Sequence, residues 1–195
     1  HVITAAHCVN GVAANTIQVY AGVQKLSARY SGQSRVVSSV HVHPSYRPSL
    51  STNDIAILTL QSAFSTTSTV GTCCLTSNTS LPSIGEHAVV IGWGRTSNNS
   101  PHQPNKLLQD VIEVNSTSSS CSTNHSSIEF CASYAGTNSC FGDSGGPLMT
   151  SVNNAWTCTG IVSRGSVISG NASGHVEVYA RVSAYQSFIN SIIGV

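Results

Sequence analysis

Charged residues are scarce in this sequence: only 8% of its 195 residues are Asp, Glu, Lys or Arg, and the formal net charge is +1. Proteins that bind nucleic acid or an anionic membrane surface usually carry a basic excess. The composition therefore points to neither partner. Long apolar runs are also missing, since no stretch approaches the roughly 20 residues needed to cross a bilayer. With 40% hydrophobic residues, the chain can bury the core of one sizeable domain or of two small packed ones.

Targeting and zinc-binding patterns are missing as well. Residues His1 to Thr4 have neither the basic head nor the apolar stretch of a secretion signal. The seven cysteines show no CxxC pair or regular Cys/His spacing, so disulfides formed in an oxidising compartment explain them better than zinc. Asn-x-Ser/Thr sequons fit a secreted glycoprotein, in which we expect one or two to be used. The sequons are at Asn78, Asn98, Asn115, Asn124 and Asn171.

Short β-type segments recur along the chain, each bounded by Gly, Pro, Asn or Ser, and they predict an all-β barrel protein. Apolar residues from Tyr185 to Ile193 instead recur at helical spacing. Ser183 or Ser187 could cap the start of this helix and Gly194 could end it. The stretch Ser97 to Asn105 is the best candidate for a link between two halves. The predicted strands are Ile17 to Ala21, Val36 to Val42, Ile55 to Leu60, Ala88 to Trp93, Leu107 to Val114, Trp156 to Ser163 and Val176 to Val182.

The strongest chemical signal is the segment from Gly142 to Pro147, Gly-Asp-Ser-Gly-Gly-Pro. Glycines on both sides of Ser144 allow a sharp turn that leaves its hydroxyl uncovered. A serine hydroxyl has too high a pKa to attack at neutral pH, so it needs a neighbouring base, normally a histidine. A lectin-like β-barrel would explain the strands but not this turn.

His7 and Asp54 are the candidates for the base and its partner. Of the eight histidines, only His7 lies in a compact apolar setting, Thr4-Ala5-Ala6-His7-Cys8, where small neighbours admit another segment. An imidazole base needs a buried acceptor, usually a carboxylate, to hold one tautomer. Asp54 is the first acidic residue of the chain and opens an apolar strand. A single carboxylate there is more often a turn cap, so Asp54 gains weight only in combination.

Together, these three segments resemble the chymotrypsin and trypsin family of serine endopeptidases in residue type, chain order and approximate spacing. The resemblance covers essentially the whole chain and implies an all-β fold: two packed six-stranded antiparallel β-barrels and a short C-terminal helix, with the active site between the barrels. Residues 1–195 would form one peptidase domain, with a first barrel over about 1–96 and a second over about 106–195. Further matching segments are His43 to Tyr46, Gly92 to Gly94, Gly160 to Ser163 and Val178 to Val182.

The resemblance also implies roles for single residues. Ser144 attacks the scissile carbonyl, His7 transfers the proton to the leaving amine, and Asp54 orients His7. The backbone N–H groups of Gly142 and Ser144 form the oxyanion hole. These roles imply an endopeptidase that hydrolyses peptide bonds through an acyl-enzyme intermediate. The resemblance also implies that the enzyme is secreted and acts outside the cell. The implied substrate-binding residues are Asn138, Ser163, Arg164, Gly165 and Glu177.

Three of these residues differ from the trypsin pattern. Asn138 lies six residues before Ser144, where trypsins carry the Asp that binds Lys or Arg. Glu177 matches a glycine on the opposite wall, so its carboxylate predicts a mixed preference for Lys or Arg together with Phe or Tyr. The alternative is that Glu177 turns to a surface partner and leaves a chymotrypsin-like pocket. Arg164 stands where the family usually has Trp, and we expect it to favour acidic residues in neighbouring subsites.

The resemblance places His1 in the middle of a strand, which implies that the activation site and the first strands lie upstream and that the first barrel is incomplete here. In the family, a freed N-terminal amine pairs with the residue matching Asp143. Without it, a buried Asp143 lacks its counter-charge, so we expect residues 1–195 alone to be inactive or poorly folded. Cys8 matches a residue that pairs with an upstream cysteine.

The remaining cysteines depart from the family in part. Cys121 and Cys131 match a family disulfide that closes a short loop. Cys140 lacks its usual partner. Cys73 and Cys158 lie on strands that the fold would bring near each other, so a bridge between these two is one candidate. The pairing of Cys73, Cys74, Cys140 and Cys158 stays open.

The resemblance implies no metal or organic cofactor, and no acidic residue precedes Asp54 that could build a family calcium loop. The expected partners are protein or peptide substrates and proteinaceous protease inhibitors, and a monomer is expected. The alternative is a catalytically inactive family member that acts as a binding module. The intact set of His7, Asp54 and Ser144 favours the enzyme.

Overall fold

The structure is a computed structural model that describes residues 1–96, 102–115, 125–133, 142–167 and 175–194. The strands are β1 Val2–Thr4, β2 Gln18–Ala21, β3 Gln33–Val42, β4 Ala56–Leu60, β5 His87–Gly92, β6 Leu108–Asn115, β7 Glu129–Ser133, β8 Pro147–Val152, β9 Ala155–Val167 and β10 His175–Arg181. The α-helices are α1 Ala6–Val9 and α2 Gln186–Ile193, and 3-10 turns span Ala14–Thr16, Leu26–Ser31 and Val182–Tyr185.

The first four strands form an antiparallel sheet in the order β1-β4-β3-β2. Ala56 and Leu58 of β4 pack with α1 in one apolar cluster. Ile57 points to the opposite face and packs in a second cluster. Because successive side chains of a strand alternate between faces, this double burial explains why β4 begins with three consecutive apolar residues.

The other six strands form a closed antiparallel barrel in the order β10-β7-β6-β5-β8-β9. Its interior includes Val90, Ile112 and Leu148, and the rings of Phe130 and Tyr179 stack there with centroids 5.4 Å apart. Closure gives every strand two neighbours, so the described barrel has no edge strand. The predicted all-β fold with a six-stranded barrel, an incomplete first barrel and a C-terminal helix is confirmed.

The division between the two halves lies earlier than 96–106. Strand β5 precedes residue 96, yet it pairs with β6 and β8 of the closed barrel. The stretch Ser97 to Asn105 therefore joins two strands of one barrel, and the halves are connected by the chain between β4 and β5. Turn-forming residues mark any connection between strands, so composition alone does not distinguish the two cases.

One apolar cluster joins the sheet, the barrel and the C-terminal segment. Ile57 comes from β4 of the first sheet, Ile55 directly precedes that strand, and Ile161 comes from barrel strand β9. The 3-10 turn and α2 contribute further buried residues, so burial of one shared core holds the halves together. These further residues are Val182, Tyr185 and Ile189.

The C-terminal helix forms where the apolar spacing predicts it. It begins at Gln186 after the 3-10 turn, with Tyr185 at the N-cap and no side-chain cap, so neither Ser183 nor Ser187 caps it. It ends at Gly194, whose φ of 79° lies in the left-handed region that glycine adopts at helix ends. None of the described helices is long and apolar enough to span a bilayer.

Candidate active site

Pairing of β1 with β4 brings His7 and Asp54 together. His7 lies on α1 just after β1, Asp54 lies just before β4, and Thr4 is opposite Ala56 in the ladder. The Nδ1 atom of His7 is 2.7 Å from Oδ2 of Asp54, and the backbone N–H of His7 donates to Oδ1 over 2.8 Å. Asp54 thus holds the histidine by its ring and by its backbone.

The Asp54 carboxylate is buried, with 1% of its surface exposed. A carboxylate in such a place needs donors to replace water. Besides the two groups of His7, Ser163 on strand β9 donates its hydroxyl to Oδ2 over 2.6 Å. Asp54 therefore connects the first sheet to the barrel.

The pKa of His7 lies well above its ordinary value of 6.5. The main cause is the hydrogen bond with Asp54. The second is the Cys8 thiol, whose sulfur is 3.5 Å from Nε2, and burial opposes both. The site thus stabilises the imidazolium, which is the form that a general base reaches when it accepts a proton.

Ser144 lies on a sharp turn between two glycines in the left-handed region, Gly142 with φ of 106° and Gly145 with φ of 78°. The N–H of Gly145 donates to the Val162 carbonyl over 2.9 Å, which ties the turn to strand β9. The serine is exposed, and its hydroxyl makes no hydrogen bond within the described part of the chain. The local geometry therefore presents an accessible hydroxyl.

The Ser144 turn packs against the segment that carries His7. The Thr4 hydroxyl donates to the Gly145 carbonyl over 3.4 Å. A Cβ atom on Gly145 would stand 2.4 Å from Thr4 Oγ1 and 3.1 Å from Cys8 Sγ, so only glycine allows this approach. The three residues predicted as a triad are thus brought to one place.

The Asp143 side chain anchors the Ser144 turn to the segment that follows β5. Its Oδ1 accepts the N–H of Gly94 over 2.7 Å. A Cβ atom would stand 1.9 Å from Oδ1 if added at Gly92 and 2.1 Å from Oδ2 if added at Gly94, so these glycines make room for the carboxylate. Gly142 and Ser144, the expected oxyanion-hole residues, flank this anchored side chain.

Glu177 is buried beside the segment expected to bind substrate. It pairs with Gly165 across β9 and β10, and 7% of its surface is exposed. The Tyr179 hydroxyl donates to its Oε2 over 3.3 Å. Burial raises the pKa of Glu177 to about 8, the tyrosine partly offsets this, and the charge of Asp143 adds to it. Asn138, the other residue expected here, lies outside the described residues.

Arg164 is bound within the protein. Its guanidinium donates to both carboxylate oxygens of Glu129, over 3.0 and 2.8 Å, and to the Ser51 carbonyl over 3.1 Å. Glu129 is only 2% exposed. Sequence reasoning missed Glu129, although a lone carboxylate between Ile128 and Phe130 is the kind of signal that singled out Asp54.

Cysteine geometry is described in part. Cys131 is disulfide-bonded. Cys121, the partner that the resemblance implies, and Cys140 lie outside the described residues. No group of three or more His, Cys, Asp or Glu within the described ranges could hold a metal ion.

Two sequons fall on described residues. Asn78 is exposed in a turn, whereas the Asn115 amide donates a short hydrogen bond to the Ser133 hydroxyl. Asn78 is therefore the more accessible acceptor for a glycan. The sequons outside the described residues are Asn98, Asn124 and Asn171.

Comparisons with known proteins agree with this geometry. The family model described as Trypsin matches residues 1–189. The chain is similar to "Trypsin beta" of Drosophila erecta, with 33% identity over 194 residues that cover 96% of this chain and 73% of the relative. It is also similar to "Trypsin delta" and "Trypsin gamma" of Drosophila melanogaster, each 34% identical over 196 residues, which cover 97% of this chain and 74% of the relative.

Proposed function

This chain belongs to the trypsin family of serine proteases, and on that premise we propose that His7, Asp54 and Ser144 are its catalytic triad. The observation that carries the proposal is the 2.7 Å contact between His7 Nδ1 and the buried Asp54 carboxylate. With Nδ1 bound to Asp54, a neutral imidazole keeps its lone pair on Nε2. Nε2 is then the atom that accepts the Ser144 proton.

In the proposed reaction, Ser144 Oγ attacks the scissile carbonyl of a protein or peptide while His7 takes the hydroxyl proton. His7 returns that proton to the leaving amine, and water then releases the acyl group by the reverse sequence. The N–H groups of Gly142 and Ser144 stabilise the oxyanion, a term worth about 3 to 4 kcal/mol per donor in such enzymes. The described structure has no hydrogen bond between His7 Nε2 and Ser144 Oγ, so in this proposal the bond forms when substrate binds, as catalytic hydrogen bonds of unliganded enzymes often do.

The proposed substrate specificity centres on Glu177. Its buried carboxylate lies opposite Gly165 on the segment that would pair with substrate, with Ser163 and Arg164 preceding. A charged Glu177 accepts Lys or Arg, whereas its neutral form and Asn138 accept Phe or Tyr. We therefore infer a mixed preference at the residue before the cut.

We further propose a secreted enzyme that acts outside the cell and that protein inhibitors can block. The disulfide at Cys131 supports this location, because disulfides persist in oxidising compartments. The accessible sequon at Asn78 supports a glycoprotein.

The triad is tested by covalent labelling of the full-length, proteolytically activated protein with a fluorophosphonate probe. We expect one labelled residue, Ser144, because the probe reports an activated serine nucleophile. Ser144→Ala should abolish labelling, and His7→Ala should slow it by several orders of magnitude. Ser151→Ala alters an exposed serine on β8 and should leave labelling unchanged.

The competing candidate is an inactive family member that serves as a binding module. It is favoured if the folded, activated protein takes no probe at Ser144. Circular dichroism of each variant separates a lost nucleophile from a lost fold. Equal labelling of wild type and Ser144→Ala would also overturn the assignment.

A further inference from the structure

Residues Cys73 and Cys74 run along a part of strand β9 that the barrel leaves open. Strand β10 pairs with β9 only from Gly160 onward in the C-terminal direction. The vacant edge is covered by the connection between β4 and β5: Cys74 pairs with Thr157 in a parallel bridge, and the Cys158 N–H donates to the Cys74 carbonyl over 2.9 Å. The backbone therefore holds two adjacent cysteines beside a third.

The alternation of side chains along the two segments decides whether Cys73 or Cys74 faces Cys158. In extended segments, successive side chains point to opposite faces, and paired residues share a face. Cys74 shares its face with Thr157, so Cys73 shares the opposite face with Cys158. The side chains agree with this, because each thiol is the main cause of the shift in the other's pKa, which requires the two thiols to lie side by side.

The surroundings of this thiol pair are apolar. Cys158 is 5% exposed and packs in the cluster shared by the sheet and the barrel, which includes Ile55 and Ile161. Cys73 Sγ lies 3.9 Å from Met149 Sδ, and Met149 is the ladder partner of Cys158. No metal-binding cluster of His, Cys, Asp or Glu includes the pair within the described residues.

We propose that Cys73 and Cys158 form a disulfide bond that fastens the connection between the two halves to strand β9. The bond would cross the core on which Ile55, next to Asp54, also packs. The disulfide would also add a second attachment, since the backbone of the same stretch otherwise pairs with β9 through a single bridge. Neither Cys74 nor Cys8 takes part in the proposed disulfide.

The bond forms by exchange with a small-molecule disulfide as oxidant. The Cys73 thiolate attacks one sulfur of that disulfide and releases one thiol. The Cys158 sulfur then attacks Cys73 and releases the second thiol, so two protein thiols are oxidised and one external disulfide is reduced. The neighbouring Cys158 thiol lowers the pKa of Cys73 to about 7, and the Cys73 thiol together with burial raises the pKa of Cys158 well above its ordinary value. This suits an exposed attacker and a buried resolving thiol.

Peptide mapping of the unreduced full-length protein tests the bond. The folded protein is incubated with oxidised glutathione, denatured, alkylated with iodoacetamide without reductant, digested and examined by mass spectrometry. We expect a peptide pair joined through Cys73 and Cys158, and Cys74 linked to neither. Alkylated Cys73 and Cys158, or a link from Cys74 to Cys158, would overturn the proposal.

Matched serine variants give a second readout. Cys73→Ser and Cys158→Ser should each lower the melting temperature by on the order of 10 °C, because each opens the same long loop. The double variant should lose no more than one single variant, since both remove one bond. Cys74→Ser is the control and should keep both the linked peptide and the melting temperature. Additive losses in the double variant would contradict a shared bond.

Discussion

At the scale of single residues, Glu177 is the side chain with the most unusual environment. Neither ion pair of the described residues involves it, and its described contacts are the Tyr179 hydroxyl and the field of Asp143. Because burial raises its pKa to about 8, Glu177 is largely neutral at pH 7. The proposed pocket therefore changes its charge within a range where a serine protease can be assayed.

We expect the ratio of kcat/KM for Lys over Phe before the cut to rise about tenfold between pH 6.5 and pH 9. Over this range Glu177 loses its proton, whereas a substrate lysine stays charged. The measurement compares matched peptides that differ only at this residue, cut by the activated full-length enzyme.

Glu177→Gln is the control for this pH dependence. It keeps the size and the acceptor for Tyr179 but removes the titration, so its ratio should be flat and should favour Phe. A wild-type ratio that does not change with pH, or a Gln variant that changes equally, would show that Glu177 does not set the preference.

At the scale of elements, hydrophobic pattern located most strands and the terminal helix. The segments around β4, β5 and β6 match to within one residue at most boundaries, because their apolar alternation is regular. Three strands were not predicted from sequence. β1 has only three residues, and β7 and β8 carry polar residues such as Glu129 and Thr150 on buried faces, where pairing and partners outweigh local pattern.

The candidate site shows the same division. Segments around His7, Asp54 and Ser144 carry local signals, namely small neighbours, an isolated carboxylate and flanking glycines. The environment of Arg164 depends on Glu129, 35 residues away, and on the register that places their strands together. No local pattern contains that register, so the sequence indicated a free cation where the structure has a bound one.

The Arg164 to Glu129 pair gives a stability prediction for the elements that it joins. Glu129→Gln should lower the free energy of unfolding by on the order of 3 kcal/mol, because it leaves a partly buried guanidinium without its counter-charge. Arg164→Met should cost a similar amount by stranding the Glu129 carboxylate. Urea unfolding of the full-length protein at pH 7 measures both.

The matched control is the double variant Glu129→Met with Arg164→Met. Replacing both partners of a buried pair by apolar groups of similar length leaves no orphaned charge, so this variant should recover most of the lost stability. If the double variant is as unstable as the sum of the single ones, the pair itself contributes little and packing explains the losses.

At the scale of the whole molecule, the proposed site exists only where the two halves meet. The first half supplies His7 from α1 and Asp54 from just before β4, and the second half supplies Ser144 from the turn before β8 and Ser163 from β9. Their hydrogen bonds cross the same boundary as the shared apolar core. Changes of pH or sequence that weaken the packing between the two halves should therefore also lower activity.

Few charges decide how this stability depends on pH, since the chain has only seven acidic residues. Glu177 has a folded pKa of about 8 against an ordinary 4.5, so the folded protein keeps a proton that the unfolded chain releases between these values. That contribution to stability is lost as pH rises from 4.5 to 8. His7, with its pKa raised above 6.5, contributes stability that is present below 6.5 and lost at higher pH.

Both groups act in the same direction, so the melting temperature of the full-length protein should fall between pH 5 and pH 8. Glu177→Gln should match wild type at pH 5, where Glu177 is neutral. At pH 8 the free energy of unfolding of this variant should exceed that of wild type by on the order of 3 kcal/mol, because the amide never ionises in the buried site. Thermal unfolding at constant ionic strength measures this divergence. If the melting temperatures of the two proteins fall in parallel across this range, the burial of Glu177 does not control alkaline stability. Removing a group that titrates only in wild type has to change the slope of stability against pH.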